Sequence, residues 1–134
     1  MASTGTMTFN MTYTPPGGPL NSGTFSKVVS FPYTAMTSGI LDIPDSTVGG
    51  VVFPIPFGTI NANAQVLLIY NLNNKDIGIR LNGSPADIYQ VPPGGILTAG
   101  NPTTSIANPL LSASIVTTAL QVGTGTVEFF VLGI

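Results

Sequence analysis

Hydrophobic and polar residues alternate along several stretches of the chain. In residues 7–13 the apolar side chains occupy the odd positions, and the same odd-numbered pattern recurs in residues 25–33, where Lys27 interrupts it. Successive side chains of a β-strand point to opposite faces, so this alternation predicts two half-buried strands. Residues 14–23, with the sequence TPPGGPLNSG, have no such pattern and are interpreted as a linker.

The middle of the chain predicts a β-meander. Residues 65–72 are apolar on both faces, which is typical of a central strand covered on each side. Residues 73–76 favour a turn, and residues 77–82 alternate again as a strand. Asn82-Gly83 then closes that strand with a strong signal for a two-residue hairpin turn.

Two further strands are predicted near the C-terminus. Residues 114–122 would place Val116, Leu120 and Val122 on one face, followed by a glycine-rich turn. In residues 126–132, Val127, Phe129 and Val131 point one way, whereas Glu128, Phe130 and Leu132 point the other.

These elements predict an all-β fold. Proline and glycine recur too often for a long helix, and at most one short helical turn is expected near residues 104–111. Short strands spaced by about 8–12 residues indicate an antiparallel β-sandwich or a jelly-roll-like barrel, with little or no helix. The length of 134 residues suits one domain, residues 1–134, with residues 1–23 as an N-terminal strand plus a linker or arm.

Residues 44–59 form a segment rich in proline and glycine that also carries large apolar side chains. Pro54 and Pro56 each remove a backbone donor, so the segment can be only an edge strand or a loop. Its apolar groups either fold back over the end of the core or contact a partner. Together with two residues of the linker, they are the candidate assembly contacts: Val51, Val52, Phe53, Ile55, Phe57, Pro19 and Leu20.

Charge is scarce, and this limits the possible partners. Only 6% of residues are charged, against about 25% in ordinary soluble proteins. The three cations, Lys27, Lys75 and Arg80, cannot form the basic stripe that nucleic acids or anionic membranes require. Neither a signal peptide nor an apolar run of about 20 residues is present. Because charge is depleted in the interior of protein interfaces, the composition indicates an assembly component.

The residue types argue against catalysis. The chain has neither histidine nor cysteine, which excludes Ser–His and Cys–His nucleophiles and zinc–thiolate sites. Asp42 and Asp45 are interpreted as turn-capping residues, with a weak calcium site as the alternative. Arg80 and its acidic neighbours are expected to form a local ion pair or a solvated turn. We therefore predict no catalytic residue, no cofactor and no metal.

Several motifs in the second half resemble small structural proteins of tailed bacteriophage particles. They are LIYNL (68–72), IRLNGS (79–84), ADIYQVPPGG (86–95) and VEFFVLG (127–133). The resemblance implies a head decoration (cement) protein, which binds the major capsid protein or other virion proteins on the capsid surface. It also implies a homo-oligomer, with a trimer favoured. No single residue role is carried over, because such proteins act through surfaces.

Two alternatives remain from the sequence. A receptor- or carbohydrate-binding module of a phage tail or fibre would present exposed aromatic side chains, and this chain has no tryptophan and four tyrosines. A cell-surface β module unrelated to phage would require an export signal.

Overall fold

The computed structural model describes residues 3–14, 16, 23–100 and 108–134, and ten β-strands lie within them. No helix occurs in these residues. The strands are β1 (Ser3–Tyr13), β2 (Gly23–Tyr33), β3 (Ala35–Ile43), β4 (Val52–Pro54), β5 (Ala64–Asn71), β6 (Ile77–Leu81), β7 (Tyr89–Val91), β8 (Ile96–Ala99), β9 (Ala113–Thr117) and β10 (Gly125–Gly133). The prediction of an all-β fold is confirmed.

Eight of the strands form a sandwich of two four-stranded sheets. The front sheet has the order β3-β10-β5-β8 and the back sheet the order β4-β9-β6-β7, with every neighbouring pair antiparallel. The pairs β3–β10, β4–β9, β5–β8 and β6–β7 join the first strand to the last, the second to the next-to-last, and so on inward. This is the order of one long antiparallel ribbon wrapped into two sheets, a jelly roll.

The core lies between the two sheets. Alternate residues of β10 point inward, as the sequence pattern predicts, and Val127, Phe129 and Val131 are buried there. Side chains of the back sheet meet them from the other side, with Ile79 and Ile115 fully buried. The sandwich therefore has one continuous apolar core.

The central strand predicted over residues 65–72 is confirmed as β5, but the predicted meander is wrong. β5 belongs to the front sheet and β6 to the back sheet, so residues 72–76 cross between the sheets. Buried amides hold this crossing: Asn71 Nδ2 donates to the carbonyl oxygens of Lys75 (2.9 Å) and Val91 (2.8 Å). Alternation identifies the faces of a strand but not its partner, which is why the crossing was missed.

The strand predicted over residues 114–122 is shorter than expected. β9 ends at Thr117, and Leu120 and Val122 lie exposed in the following loop, so they do not share a face with Val116. The chain leaves the sheet because Gln121 is buried in a hydrogen-bonded pair with Asn73, in which each side-chain amide donates to the other (2.9 and 2.8 Å).

The turn at Asn82-Gly83 has the predicted geometry. Both residues have positive φ (52° and 70°), and the backbone N–H of Ser84 donates to Leu81 O at 3.0 Å. These are the features of a type I′ turn. The chain then makes a further loop before β7 begins at Tyr89, so the turn prediction is confirmed but the return strand does not pair at once.

β3 has no counterpart among the predicted strands. It forms an edge of the front sheet and pairs with β10 along its whole length. Gly39 lies opposite Phe129, and a Cβ atom at Gly39 would be 3.1 Å from Phe129 Cζ. Gly39 leaves room for the Phe129 ring and, with Thr37, interrupts a core face that otherwise carries Leu41 and Ile43. The strand therefore lacks the hydrophobic alternation that would have revealed it.

The predicted short helical turn near residues 104–111 is not found in its described part. Residues 108–111 are irregular, and residues 104–107 lie outside the described ranges.

Gln65 is a buried polar residue at the start of β5. Its side chain lies on the same side of the strand as Leu67 and Ile69, and it is 1% exposed. Neither Nε2 nor Oε1 has a hydrogen-bond partner among the described residues. A buried amide without partners destabilises a fold because its water contacts are lost and not replaced.

We predict that Gln65→Met increases the free energy of unfolding by about 1–3 kcal/mol, because an apolar side chain of similar size replaces the unpaired amide. The melting temperature should rise accordingly in a thermal scan. Asn71→Leu is the matched control, because the Asn71 amide is fully bonded, and it should lower the melting temperature. A lower melting temperature for Gln65→Met would contradict the prediction.

Candidate interaction surface

The apolar segment of residues 44–59 is mostly part of the core. β4 is an edge strand of the back sheet, as the two prolines predict. Ile55 and Phe57 are buried in the core, and Phe53 packs against it. These three side chains therefore fold back over the core, as one of the two interpretations expected. Val52, by contrast, is 44% exposed and is available for contact with a partner. Val51 is half-buried, and Pro19 and Leu20 lie outside the described residues.

We predict that Phe57→Ala lowers the free energy of unfolding by about 3–5 kcal/mol, because it removes a buried ring and leaves a cavity. Val52→Ala in the same segment should change it by no more than about 0.5 kcal/mol, because that side chain is largely exposed. Denaturant unfolding of the two variants measures the difference. Equal stability of the two would show that Phe57 does not cap the core.

Of the two acidic residues considered as calcium ligands, Asp45 has a structural partner. Asp45 Oδ1 accepts a hydrogen bond from Gly123 N at 2.7 Å, which ties two loops at one end of the sandwich. Arg80 Nε lies 2.8 Å from Asp87 Oδ1, and this confirms the predicted ion pair. In the part of the chain that the structure describes, no three acidic residues gather in a group that could hold a metal ion.

The first two strands form a long hairpin, which we call the arm. β1 and β2 pair from Ser3 opposite Tyr33 to Tyr13 opposite Gly23. The odd-numbered apolar residues share one face of the arm, as predicted, and threonine and serine dominate the other. At its base, the backbone N–H of Thr34 donates to Gly133 O at 3.0 Å and fixes the arm to the front sheet.

The base of the arm covers part of the outer face, by which we mean the face of the front sheet that points away from the back sheet. Phe31 is buried against Val66 and Leu132, and the cross-strand pair Met7 and Val29 packs around them. The arm thus makes a second, smaller core. This explains why the middle of β5 is apolar on both of its faces.

Beyond Met7 and Val29, the apolar face of the arm is left open. We call this part the arm stripe, and its residues, between 41% and 58% exposed, are Phe9, Met11, Tyr13 and Phe25. A hairpin of two strands without support is marginally stable in water. Covering each of these side chains would contribute roughly 1–2 kcal/mol. The arm stripe therefore has the chemistry of a surface that is completed by a partner.

A matching apolar groove lies on the part of the outer face that the arm leaves open. The strand register places Ile40, Glu128, Tyr70 and Ile96 side by side in one row across the front sheet. With Leu68 and Phe130 from the neighbouring row, these residues line a groove of about 420 Å³. Ile40 and Ile96 are 62% and 64% exposed.

The groove and the apolar face of the arm each carry one charged residue, and the charges are opposite. Glu128 is the only charged residue of the groove. Lys27 lies directly opposite Phe9 on the apolar face of the arm. The ion pair of Arg80 and Asp87 is the one salt bridge within the described residues, so both Lys27 and Glu128 are available to a partner.

Sequence reasoning did not identify this groove. The alternation of β10 already placed Glu128 and Phe130 on the face opposite Phe129, which was the available signal. The rims of the groove, Ile40 and Ile96, come from edge strands β3 and β8, and neither strand was predicted from its own sequence.

Comparisons of the chain with protein-family models, with curated proteins and with solved structures found no significant match. Over residues 3–14, 16, 23–100 and 108–134, no helix is long and apolar enough to cross a membrane.

Proposed function

We propose that this chain is a non-enzymatic structural protein of a phage particle, which binds the outside of the capsid and stabilises the shell. The observation that carries the proposal is the pair of uncovered apolar surfaces, the arm stripe and the groove, on an otherwise well-packed sandwich. Exposed apolar patches of this kind are typical of protein–protein contact. The motifs of the second half resemble phage structural proteins, and this resemblance is the reason for proposing a phage particle as the assembly.

The polar groups of the molecule support a binding role more than a chemical one. Among the described residues, the buried polar side chains are amides and one hydroxyl. The amides of Asn71, Asn73 and Gln121 form hydrogen bonds that join neighbouring loops. Such groups orient backbone and do not transfer protons near neutral pH. What the sandwich offers to other molecules is shape and apolar area.

Attachment to a shell requires only several modest contacts. When one contact of a multivalent protein forms, the next forms at a high effective concentration, so weak surfaces together bind firmly. A decoration protein that bridges neighbouring shell subunits resists their separation in this way. Jelly rolls occur in capsid and in lectin domains, so the fold is compatible with this role without specifying it.

We predict that the chain is present in purified particles from its source at a copy number near that of the major shell protein. Quantitative mass spectrometry of particles, with the shell protein as internal reference, measures this ratio. A few copies per particle would favour the alternative of a receptor- or carbohydrate-binding module on the tail. Absence from particles would overturn the virion role altogether.

A further inference from the structure

The arm stripe and the groove are complementary in chemistry. Each is an apolar surface with one charged neighbour: Lys27 lies at the base end of the arm stripe, and Glu128 lies within the central row of the groove. On the arm, Lys27 has Phe9 opposite it and Phe25 two residues away on the same face. In the groove, Glu128 lies between Ile40 and Tyr70, its register partners on the two neighbouring strands. In a chain with three cations and five acidic residues, this match is informative.

The structure already shows how the apolar face of the arm packs on this sheet. Met7, Val29 and Phe31 of the arm cover Val66, Leu132 and part of Phe130 on the outer face of the same chain. Phe130 also lines the groove, so the uncovered area is continuous with the covered one. The arm stripe carries similar apolar side chains on the same face of the hairpin, further from its base.

The arm of a chain reaches only the near side of the groove of that chain. Phe9 lines a cavity with Leu68 and Phe130, whereas the row of Ile40, Glu128, Tyr70 and Ile96 does not line that cavity. Its base is fixed by the hydrogen bond of Thr34 to Gly133 and by Phe31 packed on Leu132. These contacts lie at the row of Leu132, whereas the groove is centred on Glu128, four residues along β10. The arm stripe can therefore meet a groove in a second copy without releasing its own base.

We propose that copies of this chain assemble by arm docking, in which the arm stripe of one copy binds in the groove of the next and Lys27 pairs with Glu128. The same contact repeated around a closed ring, or exchanged between two copies, leaves no groove uncovered. This inference goes beyond attachment to a capsid and does not depend on it, because it concerns the purified chain alone.

The first test is the mass of the purified protein in solution, by sedimentation velocity and light scattering. We expect a discrete multiple of the 13.8 kDa chain mass. Met11→Ser with Phe25→Ser should reduce the mass to that of one chain, and Ile40→Ser with Ile96→Ser should do the same from the other side of the contact. Val28→Ser, on the opposite face of the arm, is the matched control and should remain assembled, although Val28 is as exposed as Met11.

The second test separates docking from a general loss of apolar surface. Lys27→Glu and Glu128→Lys should each raise the midpoint concentration for assembly by roughly tenfold or more, because like charges then meet in the contact. The double variant, with both charges exchanged, should restore assembly. Lys75→Glu, in the crossing between β5 and β6, is the control for net charge and should have no effect.

Two results would overturn arm docking. One is a wild-type protein that stays at the mass of a single chain up to hundreds of micromolar. The other is an oligomer whose midpoint is unchanged by the arm, groove and charge variants. Circular dichroism and melting curves identify any variant that fails to fold, and the exchange of charges between Lys27 and Glu128 then decides between docking and its absence. Neither result bears on the copy number in particles, so the proposed function is judged separately.

Discussion

The structure depends on the position of β10 in the middle of the front sheet. Its backbone is hydrogen-bonded to β3 on one side and to β5 on the other, so β10 joins two strands that lie far earlier in the sequence. One face of β10 fills the core, and the other supports the base of the arm through Leu132. The sandwich, the second core and the groove therefore share a single strand. Pairings of such long range close loops of many residues, which is the slow step expected in folding of this topology.

Within the described residues, side-chain amides and not charged groups make most of the side-chain hydrogen bonds that hold the loops together. The wrapped ribbon requires loops that cross between the sheets, and at one end of the sandwich those loops are joined by Asn71, Asn73 and Gln121. Thr117 adds a bond from its hydroxyl to Val48 O at 2.6 Å. Neutral groups satisfy buried carbonyls without the desolvation penalty of an ion. The fold can thus be specified with few ionisable residues, which leaves Lys27 and Glu128 conspicuous on apolar surfaces.

Sequence patterns predicted the strands that have one clearly apolar face and failed where packing is decided at long range. The arm strands, β5 and β10 were predicted because their sequences show either alternation of apolar and polar residues or apolar residues on both faces. β3 was missed because Gly39, which leaves room for the Phe129 ring, interrupts the apolar pattern of its core face. The meander and the long β9 were wrong because buried amides redirect the chain, and a single asparagine or glutamine looks like a loop residue. The groove could not be predicted, because its rims belong to those missed edge strands.

The arm is suited to the proposed docking because β1 and β2 are paired along their whole length, while the apolar side chains beyond Met7 remain exposed. Its polar face consists largely of threonine and serine, whose β propensity supports an extended hairpin while their hydroxyls keep that face hydrated. Tyr13 lies over Gly23 at the far end and covers the glycine backbone there. Docking in a groove would cover those side chains and supply the support that an isolated two-stranded hairpin lacks. The single charge on each surface would then disfavour a wrong register or a wrong partner, because a displaced arm would bury Lys27 or Glu128 unpaired.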